Sequence, residues 1–317
     1  MKPPLADDWY EQIPGVVGAP RRRPRGLVLL ALSLRHESVV MWRGAPGWHT
    51  LLLGRALLGR RRKLIVLQLI VPPARNPVRR LRARVDRWAM RRAMLRGHAL
   101  DRASLAALPG HYGLPPERFA YVPWFLLRTP VRELPPRPPR PLVLSGGRSY
   151  CDWPTLFAAA EGRGWPLEVV CSTADRAEVE PLAARAGARV HCELPRSEYD
   201  ALLRRATVLA VVLHDEGIAQ GHVRIMDATT NGVPLVMTAT GSVRDYVRDG
   251  ETAVVVAPGD VAGVRAAVER LLGDDALAER LRAAALERAG GWDIGAYLAA
   301  LGDLVAGRPV TLPPEAP

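Results

Sequence analysis

The sequence predicts an α/β protein with parallel sheets, arranged in two lobes. Three observations carry this. Apolar runs of strand length alternate with helix-length stretches over residues 38–71 and again over 141–257. Glycine and proline turns separate them. Between the two regions lies Thr129 to Pro141, TPVRELPPRPPRP, a linker whose prolines stiffen the backbone.

A chain of 317 residues has length for two ordinary α/β domains. Its 48% hydrophobic and 24% charged content is that of a folded protein, which excludes a disordered chain. No apolar run approaches the roughly 18 residues of a membrane span. The amino terminus opens acidic (Asp7, Asp8, Glu11) and turns basic only at Arg21, the wrong order for a secretion signal. Cys151, Cys171 and Cys192 are odd in number and widely spaced, which predicts buried thiols in a reducing cytoplasm and no bridge or zinc site. Charge is uneven along the chain: residues 1–140 hold 27 Lys or Arg against 8 Asp or Glu, a net +19 within a total of +12. The first half is therefore expected to meet a polyanionic surface or partner.

Taken in order, residues 1–25, with the run Arg21 to Arg25, read as an irregular arm. The apolar run Gly26 to Leu34 has the length of a strand or a core helix. Ser38 to Trp42 reads as a short strand, Pro46 to Leu58 as a helix and Lys63 to Val71 as a buried strand, so residues 26–128 form a first βαβ lobe. Residues 76–108 read as one helical stretch. In its first part Val78, Leu81, Val85, Trp88 and Ala89 recur on one face, while Arg79, Arg80, Arg82, Arg84, Arg87, Arg91 and Arg92 cover the rest. Packing of that stripe on the sheet is the preferred reading over adsorption to anionic lipid, with the arginines still able to face a membrane.

The second lobe, 142–290, begins with the strand Pro141 to Ser145, the turn Gly146, Gly147, Arg148, and a helix to about Gly162. Strands follow at Leu167 to Cys171 and Arg189 to Cys192, with a helix at Ala177 to Ala186 between them. The central stretch, 206–257, reads as strand (Val208 to Leu213), glycine-containing turn (Gly217, Gln220, Gly221), helix (His222 to Asn231) and strand (Pro234 to Met237), with Thr238 to Ser242 just past the last strand's carboxyl end. Ligands sit at that edge of a parallel sheet, where helix amino termini and unpaired N–H groups point. An anion pocket, most simply for a diphosphate, is the reading from residues alone. Helices at Val261 to Leu272 and Asp275 to Arg288 and a crossing segment in 291–317 complete the chain.

The same residues resemble a family. D-A-T-T-N-G-V-P-L-V (Asp227 to Val236), T-A-T-G-S-V-R-D-Y-V-R-D-G-E-T-A-V-V-V (Thr238 to Val256) and A-P-G-D (Ala257 to Asp260) are similar in order and spacing to the carboxyl-terminal half of family 4 glycosyltransferases of the GT-B fold. The resemblance implies two Rossmann-like domains facing each other across a cleft, here with the first one reduced. It implies transfer of a hexose from a UDP- or GDP-sugar to a hydroxyl of a glycan, lipid or small molecule. Retained configuration is implied, with no cofactor; the lack of an Asp-x-Asp motif argues against a metal. The alternative is a catalytically degenerate GT-B protein serving as a binding or partner subunit.

On this resemblance Arg148 and Asp227 are the expected catalytic pair, Arg148 on the donor diphosphate and Asp227 on the ribose hydroxyls. Gly146, Gly147, Gln220, Gly221, His222, Gly241 and Ser242 are the other donor-binding candidates. The lysine that normally follows the arginine is replaced by Asp152 or a neighbour, and the first of the family's two glutamates by Ala219. Leu194 to Ser197 falls at the turn expected near the nucleobase. Trp42, Arg43, Gly44 and His49, at a strand end of the first lobe, are candidates for acceptor contact. A cytoplasmic protein, peripheral on the inner membrane face through its basic half, is expected. A nucleic-acid partner is not, since no helix-turn-helix, zinc or stacking motif supports one.

Overall fold

The computed structural model describes residues 13–14, 26–36, 38–43, 47–58, 64–71, 73–74, 76–124, 131, 133–290 and 293–312. Most of the arm over 1–25, Gly44, and part of the proline-rich run lie outside the described residues. Contacts cluster into two units, residues 1–123 with 294–314, and residues 124–293 with 315–317.

The first unit carries α1 (Gly26–Ser33), β1 (Val39–Trp42), α2 (Trp48–Leu57), β2 (Leu64–Leu67), α3 (Pro77–Ala93), β3 (Met94–Ala99), α4 (Arg102–Tyr112) and β4 (Phe119–Tyr121). The four strands form a parallel sheet in the order β1-β2-β3-β4. Leu64 to Leu67 are all buried, the continuous apolar run expected of a strand covered on both faces. The α1 carbonyl end is closed from another helix: Arg55 of α2, 0% exposed, donates to Ser33 O and to His36 O at 3.3 Å.

Two expectations fail here. Residues 76–108 are not one helical stretch, because α3 stops at Ala93 and the chain runs straight into β3. Met94, Leu95 and Arg96 favour a helix, so no local signal ends α3 at Ala93. Pairing on both sides, with β2 and β4, overrides that propensity. The polar strand residues are satisfied in place: Arg96 donates to Val305 O at 2.7 Å, and His98 bonds at both ring nitrogens. Second, the apolar stripe of α3 does not pack on the sheet. The buried residues are Asp86, Ala89, Met90 and Ala93, so of the stripe only Ala89 is covered. Small residues on that row let α3 lie close against α2, leaving Val78, Leu81, Val85 and Trp88 exposed.

The second unit carries β5 (Val143–Gly146), α5 (Trp153–Ala160), β6 (Leu167–Cys171), α6 (Arg176–Ala186), β7 (Arg189–Cys192), α7 (Arg196–Arg205), β8 (Val208–Val211), α8 (His222–Asn231), β9 (Leu235–Thr238), β10 (Val254–Val256), α9 (Val261–Gly273) and α10 (Asp275–Arg288). Its six parallel strands are ordered β10-β9-β8-β5-β6-β7, so the order reverses between β5 and β8. That switch point is where an open sheet leaves room for a ligand. Buried Val143, Leu156, Phe157, Val208, Val236 and Leu281 belong to the core around this sheet. The described part of the proline-rich run lies against this unit, with Arg137 donating to Leu271 O at 2.8 Å. The last helix, α11 (Ile294–Ala306), clusters with the first unit, where its carbonyls receive Arg96. No described helix is long and apolar enough to cross a membrane.

Asp152 has a structural task. It caps α5, accepting from Thr155 N at 3.1 Å and from Thr155 Oγ1 at 2.7 Å, at 5% exposure. Asp152→Ala is expected to cost about 1–2 kcal/mol in a denaturant titration, as loss of a helix cap does. Asp152→Asn is expected to cost less, because the amide oxygen still accepts.

Candidate functional site

The carboxyl ends of β5, β6 and β7 open onto a cavity of about 190 Å³, lined among others by Gly147, Arg148, Glu193, Arg196, Tyr199 and Arg224. Three guanidinium groups from three different elements therefore converge on one space: Arg148 from the turn after β5, Arg196 from the first turn of α7, Arg224 from the first turn of α8. The volume suits a diphosphate sooner than a whole nucleotide sugar.

The two helical arginines are held by one carboxylate. Asp227, 1% exposed, accepts from Arg196 Nη2 at Oδ1 (2.5 Å) and from Arg224 Nη1 at Oδ2 (2.7 Å). Arg196 also donates from Nε to Asp200 at 2.9 Å. The Tyr199 ring lies beneath both cations, 4.3 Å from the Arg224 guanidinium and 5.6 Å from that of Arg196. Burial pushes the Asp227 carboxyl up from its ordinary range, and Arg224 and Arg196 pull it back. The cluster is formally balanced, three guanidiniums against Asp227, Asp200 and a half-exposed Glu193 that reaches Arg148 at 2.8 Å. Glu193 holds φ at +51°, the left-handed region, and its carboxylate also accepts from Thr173 N at 3.1 Å. Strain of this kind in a non-glycine residue collects at ligand sites.

Of the sequence candidates, Gly147 and Arg148 line this cavity, and Asp227 stands behind it through its arginines. Gly146 ends β5 and is buried. Leu194 and Arg196, in the turn expected near a nucleobase, also line it. Gln220, Gly221, His222 and Ser242 belong to a second set, the loops after β8 and β9. Gln220 N donates to Ser242 Oγ at 3.3 Å and Ser242 Oγ donates to Gln220 O at 3.3 Å, so these two loops are joined. Gly221 takes φ +82° as the residue before α8, where an added Cβ would meet Met237 Cε at 2.4 Å. The His222 ring is buried against Tyr246, centroids 4.4 Å apart, and burial lowers its pKa to about 4. It is neutral at physiological pH and does not line the cavity. Gly241 sits exposed in the turn after β9.

The switch point itself is laced shut by backbone. Asp152 N donates to Val212 O and His214 N to Tyr150 O, both at 2.9 Å. This is why the open space lies over β5 to β7. Cys171 and Cys192, far apart in sequence, are neighbours in register on β6 and β7; both are free thiols, Cys192 only half-buried.

The resemblance puts one cation, Arg148, on the donor diphosphate; Arg196 and Arg224 stand beside it. Their signal was the helical spacing of Arg196 to Asp200 and of Arg224 to Asp227, i to i+4 and i to i+3.

Gly147 is tight. A Cβ there would stand 2.3 Å from Cys151 Sγ. Gly147→Ala is expected to shift this turn and lower the melting temperature by an amount equivalent to roughly 1–3 kcal/mol. Cys151→Ala is expected to restore it in the double variant, a cycle read by thermal unfolding.

In the first unit, Arg43 and His49 meet around Asp86. The Asp86 carboxylate lies 3.8 Å from Arg43 Nη2 and 3.3 Å from His49 Nδ1, and Arg82 reaches the other His49 nitrogen. Trp42 ends β1 beside them. Asp86, the lone acid of α3, was not among the sequence candidates.

Two parallel-sheet units of this topology define the class: the fold is that of GT-B glycosyltransferases. The structure of Anabaena Alr3699/HepE, solved in complex with UDP-glucose, aligns over 89% of this chain and 81% of that one, with a TM-score of 0.70 at 14% identity. Sucrose-phosphate synthase from Thermosynechococcus elongatus aligns over 93% and 81%, with a TM-score of 0.70 at 19% identity. More particularly, residues 163–288, within the second unit, match the family described as Glycosyl transferases group 1. Glycogen synthase of Mycobacterium tuberculosis is 38% identical over 95 residues, which are 30% of this chain and 22% of that protein. The match to this relative thus spans less than a quarter of the relative's length.

Proposed function

We propose that the protein is a glycosyltransferase that moves a hexose from a nucleoside diphosphate sugar, UDP- or GDP-linked, to an acceptor hydroxyl. The observation that carries this reading is the convergence of Arg148, Arg196 and Arg224 on one diphosphate-sized space at the carboxyl edge of β5 to β7. Negative charge grows on the departing nucleotide in such a transfer, and fixed cations there stabilise the transition state more than the ground state. Asp227 acts as a positioning residue that aims two of the three. Transfer without a metal is part of this reading, the three guanidiniums being the groups that meet the diphosphate oxygens. Retention is implied by the family resemblance: the leaving phosphate oxygen takes the acceptor proton on the face from which it departs, and no separate protein base is needed. Arg43, His49 and Asp86 are the proposed acceptor-side group, for a glycan, lipid or small-molecule hydroxyl.

Melting shifts against a panel of UDP- and GDP-sugars test donor binding, and release of the nucleotide with and without acceptor tests transfer. Stabilisation by one donor, turnover unchanged by a chelator, and a product of unchanged anomeric configuration by NMR are the expected results. Two observations favour a second reading, a donor-binding protein without turnover. Ala219 is buried where the family's first glutamate is expected, and Asp152 is committed to a helix cap near the expected lysine. Stabilisation by a nucleotide sugar with no nucleotide release would select it.

A further inference from the structure

We infer that the exposed face of α3 is a docking surface for an anionic lipid bilayer. Val78, Leu81, Val85 and Trp88 are 76%, 62%, 39% and 42% exposed. Their spacing of three and four puts them on one stripe, roughly 15 Å long at the helical rise. Leu57 and Leu58, at the end of α2, are exposed at 70% and 56%. Arg92 joins the two helices, donating from Nε to Ala56 O at 3.1 Å while its guanidinium lies 5.5 Å from the Trp88 ring. Large apolar side chains gathered in this way on a protein surface mark a site of association.

The charges around the stripe identify the partner. α3 holds seven arginines, and its single acid, Asp86, is turned inward to Arg43 and His49. Arg80 and Arg84 are exposed alongside the stripe, so among the described residues of α3 this face presents aliphatic and indole surface with cations and no anion. A bilayer rich in anionic headgroups accepts both parts at once, the apolar side chains at the acyl boundary and the guanidiniums on phosphate. A second copy of the chain would set arginine against arginine. A nucleic acid would leave four large apolar side chains against water. The inference is independent of the donor pocket, which lies in the other unit.

The test is co-sedimentation of the full chain with phosphatidylcholine vesicles and with vesicles containing about a third phosphatidylglycerol. Binding to the anionic vesicles at least about tenfold stronger than to the neutral ones is expected, falling as salt is raised. Leu81→Ser with Trp88→Ser is expected to weaken it about tenfold, and Arg80→Gln with Arg84→Gln to abolish most of the preference for anionic lipid. All four side chains are exposed, so melting temperatures serve as the folding control. The inference is overturned if the parent ignores both vesicle types, or if the Leu81/Trp88 variant binds as the parent does. It is also overturned if that variant instead dissolves a dimer seen by sedimentation velocity, which would assign the face to a second copy.

Discussion

Arg224→Gln is expected to weaken UDP binding by roughly tenfold to a hundredfold, the loss of a charge-assisted contact to phosphate. The same change is expected to lower stability by about 2 kcal/mol. Asp227 is buried, and removing one of its two cationic partners leaves its charge half compensated; Arg196 keeps the cost below that of a fully orphaned carboxylate. The two effects separate in a double variant. Asp227→Asn removes the charge that needs compensation, so the Asp227→Asn, Arg224→Gln protein is expected to regain most of the stability and none of the affinity. Calorimetric titration with UDP beside urea unfolding reads both. An equal loss of affinity from Asp227→Asn alone and Arg224→Gln alone would mean that the carboxylate itself holds the nucleotide.

Acidification from pH 7 to 4 is expected to destabilise each unit through one buried histidine. His98 is 0% exposed, its Nδ1 accepting from Gln68 N at 3.2 Å and its Nε2 donating to Val122 O at 2.7 Å. That pattern requires the neutral ring. Burial lowers its pKa from 6.5 to about 4, and that of His222 in the second unit to about 4 as well. A depressed folded-state pKa means that the unfolded chain binds the proton first. The contribution is therefore complete above about pH 6.5, shrinks by about 1.4 kcal/mol per pH unit below it, and levels off near pH 4. The whole loss is roughly 3 kcal/mol per histidine. His98→Gln is expected to be less stable than the parent at pH 7.5 and to show a flatter fall toward pH 4.5 in urea unfolding. An unchanged slope would mean that the ring titrates normally in the folded protein.

How much of this was legible follows from where each signal sits. β8 and β9 could be read directly because each is an uninterrupted apolar run next to a glycine turn, a local pattern. β3 could not: its Arg96 and His98 look like helix-surface residues until α11 and the Gln68 and Val122 backbone are brought to them. The stripe on α3 was read correctly as a periodicity, but which side of a helix faces the core depends on its neighbours. α2 takes the small-residue face. In the site, Arg148 announced itself by following a glycine pair at a strand end. Arg196 and Arg224 had no such marker, since arginines on helices are common in this chain, and only the shared Asp227 carboxylate brings them to one pocket. Asp152 shows the converse: its position near an expected lysine suggested chemistry, and its hydrogen bonds belong to a helix cap.

The central claim is that three arginines at one sheet edge grip a diphosphate. Comparing the dissociation constants of UDP, UMP and uridine by calorimetry in one buffer at fixed salt tests it most directly. The account predicts binding that weakens by about tenfold or more with each phosphate removed. Equal affinity for all three, or binding of none, would contradict it.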